Sequence, residues 1–187
     1  MARNRKYTVE SVAPKIDSFL NDILKHSRLR LSFEIGPGAT PHPEIEDPEV
    51  VVRFSGADME ILLENKAELL LALEHLTMEM LRMPSEDHSL LCFDANDYRL
   101  LRIEELRLAA ITAAEKVKRT RAPFQFNPMS SRERRVIHLA LRGETAVRSE
   151  STGTGSYRQV VILPADMPMP APHALAGMSD QRRGRRR

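Results

Sequence analysis

The apolar residues of this chain change their period along its length, and that change restricts the fold more than any other feature. In residues 9–26, Ile16, Phe19, Leu20, Ile23 and Leu24 recur at spacings of three and four, which puts them on one helical face. Directly afterwards Leu29, Leu31, Phe33 and Ile35 alternate with polar residues, and a period of two makes a half-buried strand. A chain of 187 residues that keeps switching between these periods must pack helices on sheets. Its length suits one medium domain or two small ones.

The rest of the chain follows the same logic. Gly36, Pro37 and Gly38 stop the first strand, and residues 36–49 make an irregular, acid- and proline-rich loop. Residues 50–54 predict a second strand, antiparallel to the first. A short helix over 59–64 precedes a longer one over 67–83, with Leu69, Leu73, Leu76 and Met80 on one face and Pro84 just beyond. Residues 90–94 predict a third, mostly buried strand that holds the lone cysteine, Cys92. The order α-β-β-α-α-β describes an α+β lobe.

A second lobe opens near Asn96. Asp97 is placed to cap a helix over 98–120, with Ile103, Leu106, Ala110, Ala113 and Val117 toward a core. Lys116, Lys118, Arg119 and Arg121 crowd its C-terminal end, which suits the helix dipole. Ser130 and Glu133 have the spacing of a capping box, and the helix they open runs to Arg142 and stops at Gly143. Residues 147–151 and 157–163 predict a hairpin around Gly153, Thr154 and Gly155. Prolines, methionines and a terminal arginine cluster predict a disordered basic tail over 164–187.

Charge divides along the same boundaries. Residues 1–95 hold 10 basic and 17 acidic residues, a net of −7. Residues 96–163 hold 13 and 7, a net of +6, and residues 164–187 hold 5 and 2, a net of +3. Such asymmetry fits either chance scatter on solvated faces or binding of a polyanion by the C-terminal half. Other classes are excluded more directly. No stretch approaches the roughly 20 apolar residues that span a bilayer. The basic start lacks a following apolar core, so no secretory leader is expected and a cytoplasmic protein is. One cysteine rules out an intramolecular disulfide or a cysteine-rich zinc site. His26, His42, His75, His88 and His173 lack metal-ligand spacing, and no phosphate-binding loop or Gly-x-Ser-x-Gly occurs. No cofactor, metal or catalytic activity is expected.

Helix 130–142 carries the most chemistry. Ser131, Arg134, His138 and Arg142 recur at three- and four-residue spacing and fall in one row, with Val136, Ile137, Ala140 and Leu141 on the core side. A forked guanidinium, an imidazole and a hydroxyl suit phosphate oxygens and stacked bases. The same row also fits an ordinary amphipathic surface whose histidine packs on the next strand.

The run from Asn127 through Ser130, Ser131, Arg134 and His138 to Leu141 resembles the central segment of an R3H domain. That domain is named for an arginine and a histidine separated by three residues, here Arg134 and His138. Ser151, Gly153 and Gly155, followed by Arg158 and residues 159–162, are similar to its Ser-x-Gly-x-Gly turn and last strand. Residues 113–120 match the helix that leads in. The bacterial Jag family of SpoIIIJ-associated proteins carries this domain directly after a bacterial-type KH domain. The resemblance implies an α+β fold of two small lobes. A type II KH-like α-β-β-α-α-β lobe over 8–95 precedes an R3H lobe over 96–163, two helices on a small three-stranded sheet. It implies binding of single-stranded RNA, or single-stranded DNA, through Arg134 and His138 with Ser131, Ser151, Gly153, Gly155 and Arg158 in support. Arg135, Arg142, Lys118 and Arg121 join them on charge and position. Thr152 and Thr154 stand where acidic residues are usual, a change that favours phosphate. The family's N-terminal Jag domain is expected to be absent, because the KH-like lobe starts almost at once.

The KH-like lobe departs from its family. A KH domain clamps the nucleic-acid backbone with a Gly-x-x-Gly loop between two helices. Here Glu64, Asn65, Lys66 and Ala67 occupy it, with Glu64 and Ala67 in place of the glycines. Glycine's freedom is lost and Glu64 repels a close phosphate, so this loop is not expected to clamp RNA in the usual way. The lobe instead reads as an interaction module for a KhpA-like KH partner or a second copy. The whole chain reads as an RNA chaperone or post-transcriptional regulator, with a ribosome- or DNA-associated factor as the alternative.

Overall fold

Helix α1 (Val9–Ser27) begins at Thr8, whose hydroxyl accepts the Ser11 N–H at 3.3 Å while the Ser11 hydroxyl accepts the Thr8 N–H at 3.0 Å. Val12, Ile16, Leu20 and Leu24 are its buried face. These coordinates come from a computed structural model that describes residues 6–40 and 42–169. The disordered tail predicted over 164–187 is not borne out in its first residues: the Ala165 N–H donates to the Ala146 carbonyl at 3.0 Å, Arg148 donates to the Met167 carbonyl at 2.6 Å, and Met167 and Met169 pack on buried Val161 and Leu163. Residues 170–187 lie outside the described residues.

Strand β1 (Leu31–Pro37) starts two positions after the sequence alternation begins. Arg28 closes α1 in the left-handed region at φ 59°, and Arg30 is held beside the strand by Asp58, its N–H donating to Oδ2 at 2.7 Å. Strand β2 (Val50–Gly56) pairs antiparallel with β1, setting Phe54 opposite Phe33. It pairs parallel with β3 (Leu91–Ala95), setting Val52 opposite Phe93. The sheet order is β1-β2-β3. Phe54 and Phe93 are buried with ring centroids 5.4 Å apart, and they lie in a core shared with α1 and α2.

The two helices expected over 59–64 and 67–83 are both present, the second ending at Met80; they are labelled together as α2 (Met59–Met80) and are separated by a sharp, non-helical joint. At the joint Glu64 is extended and Asn65, Lys66 and Ala67 follow at φ 51°, 64° and 59°. Three successive non-glycine residues in the left-handed region carry steric strain. Two contacts hold them there. Ala67 is fully buried, and the Tyr98 hydroxyl donates to the Lys66 carbonyl at 2.7 Å.

Strand β3 is an edge strand whose exposed polar groups would otherwise need partners. Glu74 of α2 accepts the Phe93 N–H at 2.7 Å. Arg99 donates from Nε to the Phe93 carbonyl at 2.7 Å and from Nη1 to Glu46 at 3.3 Å, and its Nη2 meets Glu74 in a short ion pair. Burial works against the Arg99 charge, but the adjoining carboxylates outweigh it and hold the guanidinium ionised.

The chain divides into two compact units between Leu101 and Arg102, in the first turn of α3 (Tyr98–Thr120). The carboxylate that receives an early N–H of α3 is Asp94, from Arg99 at 3.2 Å, while Asp97 itself sits at φ 54°. In the second unit α3 buries Ile103, Leu106, Ala110, Ala113, Ala114 and Val117. Helix α4 (Ser131–Ala140) buries Val136 and Ile137. It stops two residues short of the expected end, with Leu141 as its cap. The short β4 (Phe124–Gln125), β5 (Val147–Thr152) and β6 (Gln159–Pro164) form an antiparallel sheet in the order β4-β6-β5. This unit has the two helices and three-stranded sheet expected from sequence, and Cys92 is the buried thiol expected of β3. Among the described residues no helix is long and apolar enough to cross a membrane.

Replacing Glu74 by Ala leaves Arg99 buried without its short ion-pair partner and the Phe93 N–H without its acceptor. We expect a loss of about 3–5 kcal/mol in urea unfolding. A double variant, Glu74→Leu with Arg99→Met, should recover part of that loss.

Candidate nucleic-acid interface

The placement of α4 is fixed at its first turn. Ser130 Oγ accepts the Glu133 N–H at 3.3 Å, and Glu133 Oε2 accepts the Ser130 N–H at 2.9 Å, the capping box read from the sequence. From α3, Arg102 donates to Glu133 Oε1 through Nε at 2.8 Å and Nη2 at 2.7 Å. Burial pushes the Glu133 carboxyl up, but the Ser130 N–H and the Arg102 guanidinium outweigh it and hold it below the usual carboxylate range. One carboxylate thus caps α4 and ties it to α3.

Strand register supplies the facing groups. Ser151 lies opposite Val160, and Ser149 opposite Ile162. Being two apart, the serines share one face of β5, and that face looks onto α4. His138 Nδ1 lies 2.7 Å from Ser149 Oγ and Nε2 lies 3.0 Å from Ser151 Oγ. Arg134 Nη1 donates to the same Ser151 hydroxyl at 3.3 Å. The Ser151 oxygen therefore joins the arginine and the histidine that the sequence places one helical turn apart. Burial first, and then the Arg134 charge, hold the His138 imidazole below its ordinary value. The neutral ring has one donor and one acceptor nitrogen, and each faces a hydroxyl that can take either role.

Arg134 is itself disfavoured as a cation, by burial and then by Arg158. Its Nε is buried with no hydrogen-bond partner. The Arg158 charge thus bears on Arg134, and no carboxylate pairs with either among the described residues. Several other cations of this unit are committed to carboxylates. Lys118 meets Glu115 at 2.9 Å and Glu144 at 2.6 Å, and both hold its ammonium above the usual value, Glu144 foremost. Arg121 donates to Asp166 at 2.7 Å, and Arg148 pairs with Glu150.

The sequence-chosen residues are therefore not one surface. Arg134, His138 and Ser151 are joined by hydrogen bonds, with Arg158 close enough for its charge to bear on Arg134. Ser131 is the exposed first residue of α4, and Arg135 is exposed on the same helix. Arg142 is exposed but lies beyond the helix, so it leaves the row. Lys118 and Arg121 are in ion pairs. Gly153 and Gly155 sit in the turn at φ 87° and 52°. A Cβ on Gly153 would lie 2.7 Å from the Tyr157 carbonyl oxygen, so only glycine fits, whereas Gly155 faces open space. Glu64, Asn65 and Lys66 are exposed at the α2 joint of the other unit. Ser149 went unnoticed in the sequence, although its two-residue spacing from Ser151 on a predicted strand was the available signal. Among the described residues no group of three His, Cys, Asp or Glu side chains could hold a metal ion.

Comparison with known proteins accords with this geometry. Residues 104–164 match the R3H domain model. The chain contains an R3H domain. It is also 29% identical over 153 residues to an RNA-binding protein KhpB of Clostridium symbiosum, covering 82% of this chain and 66% of that protein. It is 33% identical over 122 residues to the RNA-binding protein KhpB of Bacillus subtilis (strain 168), covering 63% of this chain and 59% of that one. The chain is KhpB-like, then, in keeping with the Jag resemblance, and spans roughly three fifths to two thirds of these relatives. The R3H match takes in α4, β5, β6 and most of α3, the elements that assemble the Arg134–His138–Ser151 cluster.

The depressed His138 has a measurable consequence. The unfolded chain takes up the imidazole proton near its ordinary value, 6.5, while the folded site resists it. The His138 contribution is then complete above about pH 6.5 and is lost as pH falls through that value toward the folded one. Urea unfolding of the native protein and His138→Gln across pH 5–8 should show the native protein losing stability relative to the variant on the acid side. Parallel curves would contradict the assignment.

Proposed function

We propose that this protein binds single-stranded RNA through its R3H unit, with Arg134 and Arg158 as phosphate contacts. The observation that carries the proposal is Arg134, hydrogen-bonded to Ser151 with a buried, unpartnered Nε. No carboxylate pairs with it or with Arg158 among the described residues, whereas Arg102, Lys118, Arg121 and Arg148 face carboxylates. Bringing like charges together is unfavourable unless an anion relieves it, and arginine's planar fork suits phosphate oxygens. The naming of both relatives as RNA-binding proteins supports RNA as the polyanion.

In this reading His138 acts through Ser151. Both ring nitrogens already face serine hydroxyls, so the imidazole orients Ser151, and Ser151 orients Arg134. Arg135 on α4 and Arg142 just beyond it add positive charge nearby, and Ser131 at the start of α4 offers a hydroxyl. Lys118 and Arg121 contribute only if their ion pairs open, at a modest cost because exposed pairs are weak. The N-terminal unit is assigned as a KH-like lobe over 8–95 with the R3H lobe over 96–163, in a non-catalytic cytoplasmic protein that acts as an RNA chaperone or post-transcriptional regulator.

Titrating labelled single-stranded RNA at several salt concentrations tests this. Arg134→Ala and Arg158→Ala should each weaken binding. Each should also lower the slope of log affinity against log salt by about 0.7, the loss of one phosphate contact on a single strand. Unchanged slopes in both variants would refute the site.

The N-terminal unit supports a second role, docking of a KhpA-like KH partner or of a second copy. Its net charge of −7 and the exposed Glu64 at the α2 joint oppose RNA there. Light scattering should show the full chain forming a complex with such a partner, or a dimer, that survives RNase treatment. A strict monomer with no affinity for the partner would refute this role.

A further inference from the structure

Nine aromatic side chains occur in the chain, six Phe and three Tyr, with no Trp. Eight are buried or half-buried. Tyr157 is the exception, with 78% of its surface open to solvent. An aromatic ring held in water forgoes the burial that normally stabilises such a group, and its place in the fold suggests what would cover it.

Tyr157 ends the short turn Gly155–Tyr157 between β5 and β6. That turn is held firmly. Tyr157 N–H donates to the Thr154 carbonyl at 3.1 Å and Arg158 N–H to the Gly155 carbonyl at 3.2 Å. The Arg158 carbonyl accepts the Met129 N–H at 3.1 Å, which anchors the segment before α4. Gly153 packs so closely under the Tyr157 carbonyl that no side chain fits between them. Gly155, on the other side, has open space above its Cα. The ring is thus presented on a fixed backbone, next in sequence to Arg158 and beside a glycine that lets a ligand approach.

We infer that Tyr157 is a base-stacking platform, receiving the nucleobase attached to the phosphate that Arg134 and Arg158 hold. This rests on the RNA-binding reading and adds a base contact to its phosphate contacts. A phenol face accepts any base, so the contact favours single strands, whose bases are unstacked and open, over duplexes. It adds affinity without adding charge, which separates it experimentally from the arginines.

The test compares the full chain with Tyr157→Ala, Tyr157→Phe and Arg134→Ala, each titrated with oligo(A) and with an abasic strand of equal length. Tyr157→Ala should bind oligo(A) about tenfold more weakly, with its salt slope unchanged and its abasic-strand affinity equal to the native protein's. Tyr157→Phe keeps the ring and should stay within about twofold. If Tyr157→Ala matches the native protein while Arg134→Ala weakens binding, stacking is refuted and the phosphate site stands. If neither variant weakens binding, the RNA-binding reading falls and this inference with it. A loss on the abasic strand as large as that on oligo(A) would assign Tyr157 to the shape of the turn and overturn the platform.

Discussion

The register between β5 and β6 governs the second unit. With Ser151 opposite Val160 and Ser149 opposite Ile162, both serines share a face with the core residues of β6 and meet α4. A slip of one residue would send both hydroxyls to the other face. His138 would then lose both serine partners and the Arg134 side chain its hydrogen bond to Ser151. The register is secured by the fit of Gly153 against the Tyr157 carbonyl and by fully buried Val160, Val161, Ile162 and Leu163. Core packing and site geometry in this unit are therefore one constraint, because the strand that fills the core also sets the height of the serines.

The first unit depends on a different device. Its edge strand β3 is satisfied by side chains, with Glu74 and Arg99 taking the two polar groups of Phe93. A buried ion pair of this kind adds little net stability compared with an apolar replacement. Here it does something an apolar pair would not, since both partners also hydrogen-bond the main chain of the edge. The strained joint at Asn65–Ala67 belongs to the same unit. There the backbone turns through the left-handed region, with the exposed Glu64 and Lys66 side chains on it.

Net charge proved a coarser guide than pairing. The +6 of residues 96–163 suggests a uniformly basic lobe, but Arg102, Lys118, Arg121 and Arg148 all face carboxylates. Arg134 differs from these: burial and then the Arg158 charge disfavour its cation, and no carboxylate pairs with it among the described residues.

The sequence by itself determined the α+β class, the element order, the capping box at Ser130 and Glu133, and the helical spacing of Arg134 and His138. These follow from periods and caps, which act over a few residues. It also carried the R3H pattern, because the arginine, histidine and glycines keep a fixed order along the chain. Only the tertiary structure decided which cations are neutralised, since Lys118 with Glu144, and Arg121 with Asp166, meet across long sequence separations. It decided that α4 stops before Arg142, that the Asp94 rather than the Asp97 carboxylate receives an early N–H of α3, and that Ser149 belongs to the site. Each of these depends on where a strand or loop distant in sequence comes to lie, and no local period records that.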